Sequence, residues 1–90
     1  MTQQELKSKL SELEYNGYWI RPQFITDFFD DLIGDYMNDN YTVSEEDFLR
    51  SIRYKITNIL EIMNNNLDDY NTLVEMNNAI SKRIHIIQHL

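Results

Sequence analysis

The sequence predicts an all-α fold, a small four-helix bundle-like domain. Three observations point there. Apolar residues recur at steps of three and four along most of the chain, the period of a helix face. Glycine occurs twice and proline once in 90 residues, too few turn formers for an all-β architecture. A helix-start signal stands in front of each periodic stretch. Ninety residues accommodate one domain, 1–90, and no second one.

Helix one is expected over residues 3–15. Thr2 is its N-cap, and Glu5 three residues later completes a capping box. Leu6, Leu10 and Leu13 share one face, Glu5 and Lys9 form an i,i+4 pair, and Asn16-Gly17 supplies a left-handed stop. A short apolar link, Tyr18-Trp19-Ile20-Arg21, leads to Pro22, a residue suited to a first helical position. Helix two is expected over 22–38. Its apolar residues, from Phe24-Ile25 through Phe28-Phe29 and Leu32-Ile33 to Tyr36-Met37, come as adjacent pairs every four residues and make a broad stripe. Gly34, inside this helix, costs about 1 kcal/mol and marks either a close helix crossing or a bend. Asn38-Asp39-Asn40 favours a turn.

Helix three is expected over 45–63, started by Ser44 with acids in the first turn at Glu45, Glu46 and Asp47. Asn64-Asn65-Asn66 interrupts the pattern, and Asn66 caps helix four, expected over 67–88. Two architectures fit this half. One is an antiparallel hairpin. The other fuses helices three and four into one coiled-coil helix of about 44 residues, because the seam from Leu49 to Ile87 never loses phase. In either case Leu49, Ile52, Ile56, Ile59, Leu73, Ile80 and Ile84 are the predicted core. Asn77 sits on the same seam, where a buried Asn fixes register and an exposed one does nothing of the kind. An antiparallel hairpin brings Arg50 and Arg53 toward Lys82 and Arg83, a basic pole, and Glu45 or Glu46 toward His85. So small a domain leaves room for a homodimer as extra burial.

The formal charge is −7, and its distribution is one-sided. Residues 22–49 hold eight acids (Asp27, Asp30, Asp31, Asp35, Asp39, Glu45, Glu46 and Asp47) and no Lys or Arg, while the rest of the chain holds seven acids and eight bases. Asp27, Asp31 and Asp35 repeat every four residues on helix two. Fixed negative charge is repelled by nucleic acid and by anionic lipid, so neither is an expected direct partner. A protein with a basic surface is the expected one. The alternative reading is a solvated face that keeps the domain soluble. Trp19, in the link before Pro22, is a candidate anchor for a partner within an aromatic cluster that otherwise reads as core.

No catalytic residues, cofactor or metal are expected. Cysteine is absent, which removes thiolate chemistry and Cys-based zinc sites. His85 and His89 have the spacing of a zinc pair, but a helix C-terminus is an ordinary place for histidine. No register of the acidic segment supplies the alternate ligands and glycine of a calcium loop. There is no nucleophile elbow and no phosphate loop. No stretch reaches 18 apolar residues, and the polar N-terminal stretch lacks the pattern of a secretory signal, so the expected compartment is the cytoplasm.

A compact acidic helical domain without catalytic machinery resembles, in general character, small phage-encoded inhibitors of host enzymes such as anti-restriction and anti-CRISPR proteins, and toxin-neutralising immunity proteins. No motif singles out one of these families. The expected function is accordingly that of a protein-binding inhibitor or accessory factor. The alternative is a homodimeric assembly adaptor built on the seam of helices three and four.

Overall fold

The computed structural model describes residues 2–13, 22–38, 43–63 and 68–90, and these are the described residues below. They form four helices, α1 (Gln3–Ser11), α2 (Pro22–Asn38), α3 (Glu45–Ile62) and α4 (Asp68–Gln88), with no strand among them.

Two of the expected N-cap hydroxyls act where the sequence places them, and the Asn66 cap lies outside the described residues. Thr2 Oγ1 accepts from the Glu5 N–H at 3.2 Å, and Ser44 Oγ accepts from the Asp47 N–H at 3.1 Å. Each satisfies one of the donors that a helix start leaves unpaired. α1 ends earlier than the expected residue 15. The Glu12 N–H reaches Lys9 O and the Leu13 N–H reaches Leu10 O, each at 3.2 Å. These are i−3 bonds, and the tighter turn they make closes the helix at Ser11. Leu13 lies beyond that end and is nonetheless buried. The Asn16-Gly17 stop and the Asn64–Asn66 interruption lie outside the described residues.

The fused-helix alternative is overturned at Met63. Its backbone is extended, with φ −79° and ψ 143°, so α3 stops there. Three contacts then fix α4 as its antiparallel partner: Thr57 with Asn77, Glu45 with Arg83, and Glu46 with Gln88. From Thr57–Asn77 to the two glutamate contacts the residue numbers fall on α3 as they rise on α4. α2 packs mainly on α4, and α1 on α3.

One core runs through all four helices. Leu6, Ile25, Phe29, Ile52, Ile56 and Leu73 are wholly or almost wholly removed from solvent. All seven core residues expected from the seam are buried, which consumes the seam within one chain. At about 25 cal/mol per Å² of apolar surface, each such side chain stabilises the fold by roughly 1.5–3 kcal/mol relative to exposure. Along α2 one member of each of the first three apolar pairs is buried (Ile25, Phe29, Leu32), while Phe28, Ile33 and Tyr36 are half-buried. Met37 departs from the stripe and is 78% exposed. Gly34 marks no close crossing, because a Cβ placed there would meet nothing within 4 Å. The helix runs through it without interruption.

Candidate functional site

α2 presents its polar side as a row of aspartates. Asp27, Asp30, Asp31 and Asp35 are all exposed, and the helix carries no Lys or Arg. The i,i+4 spacing of Asp27, Asp31 and Asp35 places their Cα atoms about 6 Å apart along the axis. Among the described residues one cation comes within ion-pair range of them. Lys9 Nζ on α1 stands 3.8 Å from Asp35 Oδ2, with both side chains about half exposed. At that distance and exposure the pair is screened and worth little. Asp27, Asp30 and Asp31 make no ion pair among the described residues.

Two notches flank the row. On the α1 side a cleft of about 150 Å³ is lined by Lys9, Glu12, Phe28, Asp31, Leu32 and Asp35. On the α3 side a cleft of about 320 Å³ lies between Ile33, Tyr36 and Met37 of α2 and Glu45, Phe48 and Leu49 of α3. The second is mainly apolar. Tyr36 forms its wall, its ring stacked on Phe48 with centroids 4.0 Å apart and planes 13° from parallel. The Tyr36 hydroxyl donates to Val43 O at 3.2 Å. Burial first, and the nearby Glu45 charge second, hold the Tyr36 phenol above its usual pKa.

The acids of α3 are placed differently. Glu45 receives the Arg83 guanidinium through Nε at 2.8 Å and Nη2 at 3.3 Å, a two-point contact between α3 and α4. The hydrogen bond, then the charge of Glu45, raises the Arg83 pKa further. Glu46 Oε1 receives Arg50 Nε and Nη2, each at 3.0 Å, and Gln88 Nε2 at 3.2 Å. The expected basic pole is therefore neutralised at two of its four cations. The expected approach of Glu45 or Glu46 to His85 is replaced by these contacts with Arg83 and Gln88.

The structure thus brings Asp27, Asp30, Asp31 and Asp35 onto one exposed helix and commits Glu45 and Glu46 to contacts within the chain. Trp19 and Asp39 lie outside the described residues. So do Tyr18 and Arg21. His85 and His89 are exposed, their ring centroids 4.4 Å apart and their planes 59° from parallel. No group of three potential metal ligands occurs among the described residues. No helix among them is long and apolar enough to cross a membrane.

Family models, curated proteins and solved structures yield no match to this chain. What the face can do follows from its own residues. Met37, Tyr36 and Lys9 are neighbours of the acidic row that the sequence did not single out. The exposure of Met37 has no local signal, since it continues the apolar stripe in perfect phase. The expected Glu5–Lys9 pair does not form among the described residues, and Lys9 pairs with Asp35 of α2 instead, a contact between elements that no local signal announces.

Proposed function

We propose that this chain is a protein-binding inhibitor or accessory factor, of the kind carried by phages and mobile elements, whose α2 face engages a basic groove on a partner protein. The observation that carries the reading is the exposure of four aspartates on one helix that has no base and, among the described residues, a single screened cation in ion-pair range. Like charges at i,i+4 destabilise a helix by a few tenths of a kcal/mol each, so helix stability does not account for the row. Their axial spacing of about 6 Å is roughly that of every second phosphate along one DNA strand. A groove evolved for nucleic acid offers cations at a matching interval. Met37 and the apolar α2–α3 cleft supply a desolvated anchor beside the charges, and such a centre with a charged rim is the usual anatomy of a protein interface.

The test begins with affinity capture of the partner from host lysate at low salt. The purified partner is then titrated with the parent chain and with a triple variant, Asp27→Asn, Asp31→Asn, Asp35→Asn. The variant is expected to keep its helical circular dichroism and to bind at least about tenfold more weakly, mainly through slower association. Added salt is expected to weaken the parent and to move the variant much less. Equal affinity of parent and variant would reduce the row to a solvated surface.

A further inference from the structure

A third cleft, of about 490 Å³, opens between α1 and α3 and shares no residue with α2. Its volume lies within the roughly 300–1,000 Å³ common for small-molecule sites. Two helix faces line it. Lys7 and Leu10 come from α1, and Arg50, Tyr54, Lys55 and Asn58 come from α3 at steps of four, one and three. Leu10 belongs to the core and gives the cleft an apolar base. Tyr54 is 72% exposed, an aromatic ring with no ring partner among the described residues.

The charge of this cleft runs against that of the chain. Acids outnumber bases 15 to 8 overall, yet three cations and no carboxylate line it. Lys7 and Lys55 have no carboxylate within 4.0 Å among the described residues. Arg50 is held by Glu46 through Nε and Nη2, which fixes the plane of its guanidinium and leaves the Nη1 edge uncommitted among the described residues. The Asn58 amide makes no hydrogen bond among the described residues and adds a neutral donor. Uncommitted donors therefore surround an apolar base and an open ring.

We infer that the α1–α3 cleft is a binding site for a small organic anion with a flat apolar body. The anionic group meets Lys7, Lys55 and the free edge of Arg50. The apolar body lies on Leu10 and against the Tyr54 ring. Neither half of such a ligand suffices alone. A bare inorganic anion leaves Leu10 and Tyr54 uncovered, and a neutral ring leaves the cations without a counter-charge. The site is independent of the acidic face of α2, so either can fail without the other.

The probe is 1-anilinonaphthalene-8-sulfonate, titrated by its fluorescence and by amide chemical shifts on the labelled protein. Saturable one-to-one binding is expected, with shifts centred on Lys7, Tyr54 and Lys55. The neutral analogue N-phenyl-1-naphthylamine is expected to bind at least about tenfold more weakly, and equimolar inorganic sulfate not to compete. Lys7→Gln combined with Lys55→Gln is expected to weaken the sulfonate about tenfold while keeping the melting curve. Tyr54→Ala weakens it and Tyr54→Phe retains it. Shifts centred elsewhere, equal binding of the neutral analogue, or unchanged binding by the double lysine variant would each overturn the proposal. Should the double variant fold poorly, the shift map on the parent chain decides alone.

Discussion

Tyr36 joins three roles in one side chain: its ring covers Phe48, its hydroxyl reaches Val43 O, and its phenol sits beside Glu45. Because burial and Glu45 raise its folded pKa, the fold holds the proton more tightly than the unfolded chain does. The stability this represents is fully present below the unfolded value of about 10 and is lost as pH climbs through the raised folded value. Tyr36→Phe is expected to cost about 1 kcal/mol near pH 7 through the lost hydrogen bond. It should also flatten part of the loss of melting temperature above pH 10, measured against the parent across pH 8–11. An unchanged alkaline slope would mean that other groups cause it. Ile56 is a simpler case. It is fully buried, so Ile56→Ala should cost about 2–5 kcal/mol by chemical denaturation, and less than about 0.5 kcal/mol would place it outside the core.

Between α3 and α4 the contact is polar at one end, where Glu45 and Glu46 meet Arg83 and Gln88, and again at Asn77. Its Nδ2 donates to Thr57 Oγ1 at 3.2 Å, and the Thr57 hydroxyl in turn donates to Arg53 O at 2.8 Å. Asn77 Oδ1 is buried without a hydrogen-bond partner among the described residues. That orphan costs about 1–3 kcal/mol, more than the neutral Asn–Thr bond returns. Asn77→Leu is therefore expected to raise the unfolding free energy by about 1 kcal/mol in urea. A loss of stability instead would show that the Thr57 bond outweighs the orphan. Both readings of Asn77 in the sequence thus miss its half-satisfied state, which depends on what α3 places opposite it. The same distinction runs through the other elements. The extent of α2, the Ser44 cap and the buried seam are legible because each rests on a local period or a neighbouring residue. The early end of α1 is not, since i−3 bonds at Glu12 and Leu13 have no marker in residue type. Glu45 and Arg83 are 38 positions apart, and their pairing depends on the register of the hairpin. Val43 and Phe48 did carry a signal. They occupy the N′ and N4 positions around the Ser44 cap, a hydrophobic staple, and both are buried. The acidic row was legible as a helix face. Its apolar neighbour Met37 was not, because a helical period does not say where the covering helix ends.

Over the whole molecule, burial and charge lead to different expectations. Every seam residue expected in the core is buried within one chain, so the seam itself offers a second copy no apolar stripe, and the exposed Tyr54, Ile62 and Ile86 of α3 and α4 lie off it. Size-exclusion chromatography with light scattering is expected to give the mass of one chain, 10.9 kDa, at micromolar concentration. A stable dimer would require an interface other than the seam. The net charge of −7 adds long-range repulsion between copies and attraction toward a basic partner, both of which salt reduces. Against that background the cationic cleft between α1 and α3 is a local exception, too small to reverse the field of the molecule.

The pairing of α1 with α3 and of α2 with α4 bears on how the chain emerges from the ribosome. Synthesis delivers the N-terminal half first. Leu6, Ile25 and Phe29 are then translated before the helices against which they are buried exist. The α3–α4 hairpin, by contrast, joins neighbours in sequence and needs only a short loop closed, the kind of contact that forms fastest. The nascent chain therefore carries its first two apolar faces uncovered until the last two helices arrive, and the order in which it is made runs opposite to the order in which it is supported.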